Sequence, residues 1–246
     1  MKDVLGDRMK ANYEDRGRHY LTRRTPVIVR VDGRAFHTFT RGCQRPFDPD
    51  IINIMVASAI AVFNNAQGCK LAYVQSDEAS FVLTDYDNLE TQAWFDYNKS
   101  KIETVTASTM SAVFNLHWQC LPFGSLQAFL QKGNELATFD ARSFNIPEAE
   151  VVNYFLWRSK DWHRNSVSMY TRAHFSHAAL DNKCLPDMHE MLYGIGKNWA
   201  TDLSPVERNG TFLVAGNGLS LERVTDVEPH YASIEVLWQR ALGAIR

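Results

Sequence analysis
Residues 70–83 restrict the fold more than any other stretch. Lys70-Leu71-Ala72-Tyr73-Val74-Gln75 and Ala79-Ser80-Phe81-Val82-Leu83 are two runs of strand-forming residues with only Ser76-Asp77-Glu78 between them. So short a polar break predicts a hairpin, and it sets two acids at the tip. An earlier β-branched run, Pro26-Val27-Ile28-Val29, reads as a buried strand and leads straight into Arg30-Val31-Asp32-Gly33-Arg34-Ala35-Phe36-His37. A carboxylate followed by glycine at a strand's C-terminal edge lets backbone approach a ligand closely.

Between these strands, Asp48-Pro49 is a helix start, an N-cap acid before proline. Ile51, Ile52, Met55, Val56, Ala59, Ile60 and Phe63 then recur at helical spacing up to Gln67-Gly68. A second long helix is expected over 92–115, with Trp94, Phe95, Ile102, Val105, Ala112 and Val113 as core contacts, and a further strand over Leu136–Asp140. The order is β-α-β-β-α-β, an α+β, ferredoxin-like unit. In its usual antiparallel arrangement the third strand lies between the first and second. Asp32 and Asp77 then meet at one sheet edge, where paired carboxylates can hold divalent cations and phosphates. Such an edge is the architecture of a polymerase palm or a nucleotide cyclase.

The 246 residues suffice for one large unit. The expected division is a palm-like catalytic region over 1–145, with an N-terminal amphipathic helix in 1–24, and a helical region over 146–246 packed on it. Within the latter, helices are expected from Pro147 to about Phe175, over Asp187–Gly194 and over Ile234–Leu242, with a late strand at Gly210–Val214. Net charge is −2, so no global basic field announces nucleic acid, but the first thirty residues hold two Lys and six Arg against four acids. No apolar run approaches the ~20 residues that span a bilayer, and no signal-peptide pattern is present, so a cytoplasmic protein without membrane association is expected. Cys43, Cys69, Cys120 and Cys184 form no C-x-x-C pair, so neither a zinc site nor a disulfide framework is expected. His174 and His177 lack a third metal ligand. Gly194-x-Gly196-Lys197 and Gly216-x-Gly218 lack the strand-then-helix context of a phosphate loop, and no Ser or Cys has a recognisable His–acid partner.

The two acidic motifs, with Leu5-Gly6-Asp7-Arg8-Met9-Lys10, Phe139-Asp140-Ala141-Arg142 and Tyr154-Phe155-Leu156-Trp157-Arg158 through His163, resemble the tRNA(His) guanylyltransferase superfamily over about two-thirds of the chain. These enzymes add nucleotides in the 3′-to-5′ direction to an RNA 5′ end. The resemblance implies Asp32 and Asp77 as carboxylates for two Mg²⁺ ions, with the Gly33 carbonyl as a further ligand and Glu78 as an accompanying catalytic acid. It implies Asp32, Gly33, Arg34, Ala35, Phe36, His37, Ser76 and Asp77 around an ATP or GTP triphosphate, with Arg45 and Lys101 on phosphate. It also implies a homotetramer. Basic residues of the N-terminal segment (Arg23, Arg24) and of the long helix (Arg158, Lys160, His163, Arg164, Asn165) are expected to contact tRNA. Where eukaryotic members carry His-Ile-Asn-Asn-Leu-Tyr-Asn, this chain reads His163-Arg164-Asn165-Ser166-Val167-Ser168-Met169. That resembles the guanylyltransferase-like branch, which implies template-dependent repair of 5′-truncated tRNA. Strict G addition to tRNA(His), a nucleotide cyclase and a non-catalytic tRNA-binding protein stay open as alternatives.

Overall fold
The computed structural model describes residues 3–121, 136–216 and 220–243. At its centre, β2 (Cys69–Gln75) and β3 (Glu78–Leu83) form the expected hairpin over Ser76 and Asp77. Strand β1 (Val27–Gly33) lies antiparallel beside β3, and β4 (Phe139–Asn145) lies on its other side. With β5 (Thr211–Ala215) and β6 (Leu221–Val224), the sheet runs in the order β4-β1-β3-β2-β5-β6. The third strand therefore sits between the first and second, and Asp32 is opposite Glu78 on one neighbour and Asp140 on the other.

Alternation along the strands divides the core into two layers. Val27, Val29 and Val31 pack on one face with the short helix α2 (Phe36–Phe39) and helices α3 (Pro49–Asn65) and α4 (Lys99–Gln119), whereas the short helix α1 (Val4–Met9) near the start of the chain buries no residue. Ile28 belongs to the opposite layer, under α5 (Val151–Arg172). Helix α6 (Leu185–Gly194) packs on α5. Short helices α7 (Trp199–Asp202) and α8 (Pro205–Asn209) lead into β5, and α9 (Tyr231–Ala241) closes this layer. Asp32 shares the parity of Ile28, so it points toward α5. No helix of the described residues is long and apolar enough to cross a membrane, and Cys69, Cys120 and Cys184 are unbridged thiols.

Three boundaries differ from the sequence expectation. Strand β4 starts at Phe139 and runs on through Asn145. It is an edge strand with one open face, so its polar alternation hid it from a search for apolar runs. Helix α4 starts at Lys99, where the Asn98 side chain accepts from the Lys101 N–H at 3.1 Å. Before it, residues 94–97 form a tight turn with Phe95 and Asp96 at positive φ; Trp94 is buried, but Phe95 is 40% exposed rather than a core contact. The N-terminal segment is α-helical over α1 and stays helical to Gly17, first widened over Lys10–Glu14 and then tightened over Asp15–Gly17. Its Val4, Leu5, Met9 and Tyr13 are exposed. Asp48 caps α3 as expected, accepting from the Asp50 and Ile51 N–H groups. Gly218, of the second glycine pair, lies outside the described residues.

Helix α5 is fastened to the hairpin by a buried ion cluster. Arg158 donates from Nε and Nη2 to the two Glu78 carboxylate oxygens at 2.7 and 2.8 Å, and Arg30 Nη2 reaches Glu78 at 2.7 Å. Gln75 Nε2 donates to the same carboxylate at 3.2 Å, and the Tyr154 hydroxyl lies 2.9 Å from Ser80 Oγ. Both partners of the Arg158–Glu78 pair are buried, where a paired charge is stable but an unpaired one is costly. Glu78→Gln leaves two guanidinium groups short of a counter-charge and is expected to cost about 3–5 kcal/mol in urea unfolding. A loss below about 1 kcal/mol, typical of a solvated pair, would contradict this account.

Candidate active site
The edge of the sheet is closed by main-chain bonds before any side chain acts. The Gly33 N–H donates to the Asp77 carbonyl at 3.0 Å, and the Arg34 N–H to the Thr138 carbonyl at 2.9 Å. The end of β1, the hairpin tip and the approach to β4 are thereby tied together. Ala35 takes a left-handed conformation (φ 53°) and turns the chain into α2. The glycine beside Asp32 has a reason that the sequence did not show. A Cβ on residue 33 would stand 2.3 Å from Phe36 Cδ2. Phe36 in turn lies in an aromatic cluster with Phe39, Phe114 and Phe139, at centroid distances of 5.2, 5.3 and 5.2 Å. Turn 33–37 is thus anchored from below, and the first turn of α2 leaves its leading N–H groups without an intrahelical acceptor.

Asp32 and Asp77 are bonded to no cationic side chain among the described residues. Burial pushes the Asp77 carboxyl above the usual range, and repulsion from Asp32 and Glu78 adds to it, partly offset by hydrogen bonds from Ser76 and the Asp77 backbone. Glu78, by contrast, has both oxygens engaged by arginine, so its part is to position the hairpin. Among the described residues no third His, Cys, Asp or Glu completes a metal cluster with the pair.

Two cavities meet at these acids. The larger, about 590 Å³, lies between turn 33–37, the 43–48 loop and the Trp162, Met169 and Arg172 side of α5. The smaller, about 360 Å³, lies under Arg158, Asp161, Asn165, Ser168 and Arg172. Asp32, Ser76, Asp77, Trp162, Met169 and Arg172 line both. Phe47 and Trp162 meet edge to face at 6.0 Å in the larger one, which also has Ile51 and Ile52 on its wall.

Of the residues singled out in the sequence, Gly33, Ala35, Phe36, His37 and Arg45 line the larger cavity with the acids. Arg34 is exposed next to that turn without lining either cavity. Lys101 is not brought there. Its end of α4 lies by His19 and Ser143, through Lys99, whereas Phe114, about 20 Å further along the helix, is the residue under Phe36. Arg23 is held by Asp85 at 2.6 Å and Asp96 at 2.9 Å, and Arg24 donates to the carbonyls of Asn88 and Leu89, all at the far end of the sheet. Arg158 is buried in the Glu78 cluster and is not a surface contact; a buried arginine and an exposed one look alike in a helical pattern. Arg164 pairs with Asp161, and Lys160 is exposed. His163 packs on the Trp199 ring at 4.5 Å, and burial lowers its pKa. Asn165 lines the smaller cavity. Asp161, Trp162, Ser168 and Met169 were missed as site residues. The signal was their shared helix face, at three- and four-residue steps from Arg158 to Arg172.

The tRNAHis guanylyltransferase (Thg1) family model matches residues 6–147. A tRNA(His) guanylyltransferase of Debaryomyces hansenii is 30% identical over 210 residues, covering 80% of this chain and 76% of that protein. An uncharacterized protein of Acanthamoeba polyphaga mimivirus is 29% identical over 195 residues, and the match takes in 73% of this chain but only 66% of the viral protein. A bacterial tRNA(His) guanylyltransferase-like protein solved with ATP is 36% identical, with TM-score 0.84, covering 97% of this chain and 99% of that one. A similar bacterial protein solved with GTP is 34% identical, with TM-score 0.76, at the same coverage. The match to the family model extends over more than half of the sequence, and the chain belongs to the tRNA(His) guanylyltransferase family of nucleotidyltransferases.

Proposed function
We propose that this protein adds nucleotides in the 3′-to-5′ direction to the 5′ end of a truncated tRNA, using the opposite strand of the acceptor stem as template. The uncompensated Asp32–Asp77 pair at the junction of two cavities carries this reading. One cavity suits a nucleoside triphosphate and the other the RNA end that it joins. The relatives solved with ATP and with GTP support a triphosphate as one occupant.

The donor set fits Mg²⁺, a hard cation that takes oxygen ligands and keeps water and phosphate in its remaining positions. Asp32 and Asp77, with the Gly33 carbonyl, would hold two such ions, which when bound lower the pKa of an attacking hydroxyl and stabilise a leaving phosphate. The protein's own residues position and neutralise. Arg45 and the turn 33–37 hold the triphosphate, and Ser76 reaches it from the hairpin tip. Phe47, Ile51, Ile52 and Trp162 give the base an apolar wall. The 3′-hydroxyl oxygen of the incoming nucleotide bonds to the 5′-phosphorus of the RNA. Pyrophosphate departs from a triphosphorylated end, or AMP from an end adenylylated with ATP, and the hydroxyl proton passes to solvent. The exposed Val4, Leu5, Met9 and Tyr13 offer apolar surface for self-assembly, and the proposed assembly is a homotetramer.

Asp32→Ala and Asp77→Ala are expected to abolish extension of 5′-truncated tRNA with Mg²⁺, each nucleotide being offered in turn. An active variant sinks the two-acid centre, and extension of tRNA(His) by G alone, without a templating base, sinks template dependence. Folding raises the Asp77 pKa, so the native state holds that proton better than the unfolded chain does. Ionised Asp77 therefore opposes folding at neutral pH, and the opposition fades as pH falls through the folded-state pKa. Asp77→Asn is expected to melt no lower than the parent at pH 7 while losing the rise in Tm on adding Mg²⁺; a lower Tm would contradict the burial account. Arg45→Ala should weaken Mg²⁺–GTP binding by about ten- to a hundredfold in calorimetry and leave tRNA affinity within about threefold. Equal losses in both would remove Arg45 from the phosphate.

A further inference from the structure
We propose that Arg172 seats the 5′-phosphate of the RNA in the smaller cavity, an assignment that rests on the reading of the site as a nucleotidyl-transfer centre. That cavity is acidic. Asp32, Asp77, Glu78 and Asp161 line it, against two arginines. Glu78 and Asp161 are paired with arginines, so a phosphate entering the cavity faces the unpaired Asp32 and Asp77 and is favoured by a cation that is free to turn toward it.

Arg158 is not free. Its Nε and Nη2 are bound to Glu78 and its Nη2 also to Asp161 at 3.1 Å, while the Trp157 ring covers the guanidinium at 4.5 Å. Arg172 has no hydrogen bond or ion pair among the described residues, and it is exposed in the last turn of α5. It is therefore the uncommitted cation of this cavity among the described residues. Asn165, also without a side-chain partner among them, stands two turns earlier on the same helix face and lines the same space. A guanidinium fork and an amide facing one cavity suit the oxygens of a phosphate.

The larger cavity has less need of Arg172, because Arg45 lies on its wall. Arg172 lines both cavities, at the boundary where the hydroxyl of one substrate must meet the phosphorus of the other. Its role is to hold the phosphate that is attacked, not the triphosphate that arrives.

The test measures how much a 5′-phosphate adds to binding. Anisotropy gives the affinity of a tRNA acceptor-stem hairpin bearing a 5′-triphosphate and of the same hairpin with a 5′-hydroxyl, for the parent protein, Arg172→Ala and Arg172→Lys. The parent should prefer the triphosphate hairpin by about tenfold or more. Arg172→Ala should bring that preference close to one, Arg172→Lys should fall between, and Mg²⁺–GTP affinity should stay within about twofold in all three. A preference that survives in Arg172→Ala, a parent without preference, or a loss of GTP affinity equal to the loss on RNA would each overturn the assignment. Extension assays judge the underlying reading separately. A parent that prefers the 5′-phosphate but extends no RNA refutes the polymerase reading alone.

Discussion
The contact between Glu78 and two arginines governs more of this molecule than its size suggests. Glu78 directly follows Asp77, so whatever fixes Glu78 fixes the acid beside it. Arg158 reaches down from α5 and Arg30 across from β1 to the same carboxylate, which ties the helix and two strands at one buried point. The anchor fixes the start of the α5 stretch that lines the site, from Asp161 to Arg172, and Ser166 and Tyr170 fasten it further along to the Glu207 carbonyl and Asp202. Buried ion pairs of this kind add little net stability compared with apolar packing, but removing one partner is expensive. Their use here is geometric.

The charge pattern follows from the same cluster. Of the acids near the sheet edge, Glu78 is neutralised internally, and Asp32 and Asp77 are left without a cationic partner. Burial and mutual repulsion then hold Asp77 in a state that a bound cation would relieve. The basic residues are divided in the same way: Arg30 and Arg158 are committed to structure, and Arg45 and Arg172 stay available. A near-neutral chain thus keeps available charge of both signs together at one sheet edge.

Much of this was legible in the sequence because it depends on local pattern. The three-residue break at 76–78, the β-branched run before Asp32 and the Asp48-Pro49 cap specify the β-α-β-β order, and that order alone makes Asp32 and Asp77 neighbours. What was not legible depends on distant partners. The role of Arg158 is set by a glutamate 80 positions away, and periodicity carries no information on that pairing. The position of Lys101 depends on which end of α4 meets Phe36. The turn at 94–97 is hidden because Trp94 and Phe95 are apolar at helical spacing. Strand β4 was read short because one of its faces is open.

The close approach of Gly33 to the Phe36 ring bears on how variants of this site are to be interpreted. The glycine is dictated by the aromatic layer underneath, through the Phe36 ring that a Cβ would meet. An alanine there would push the ring, and with it the whole turn from 33 to 37, so the lost function would be indistinguishable from that of a ligand-contact mutant. The floor of the site and the hydrophobic interior are one mechanical unit. Repacking Phe39, Phe114 or Phe139 can therefore retune the nucleotide cradle without touching a residue that faces it.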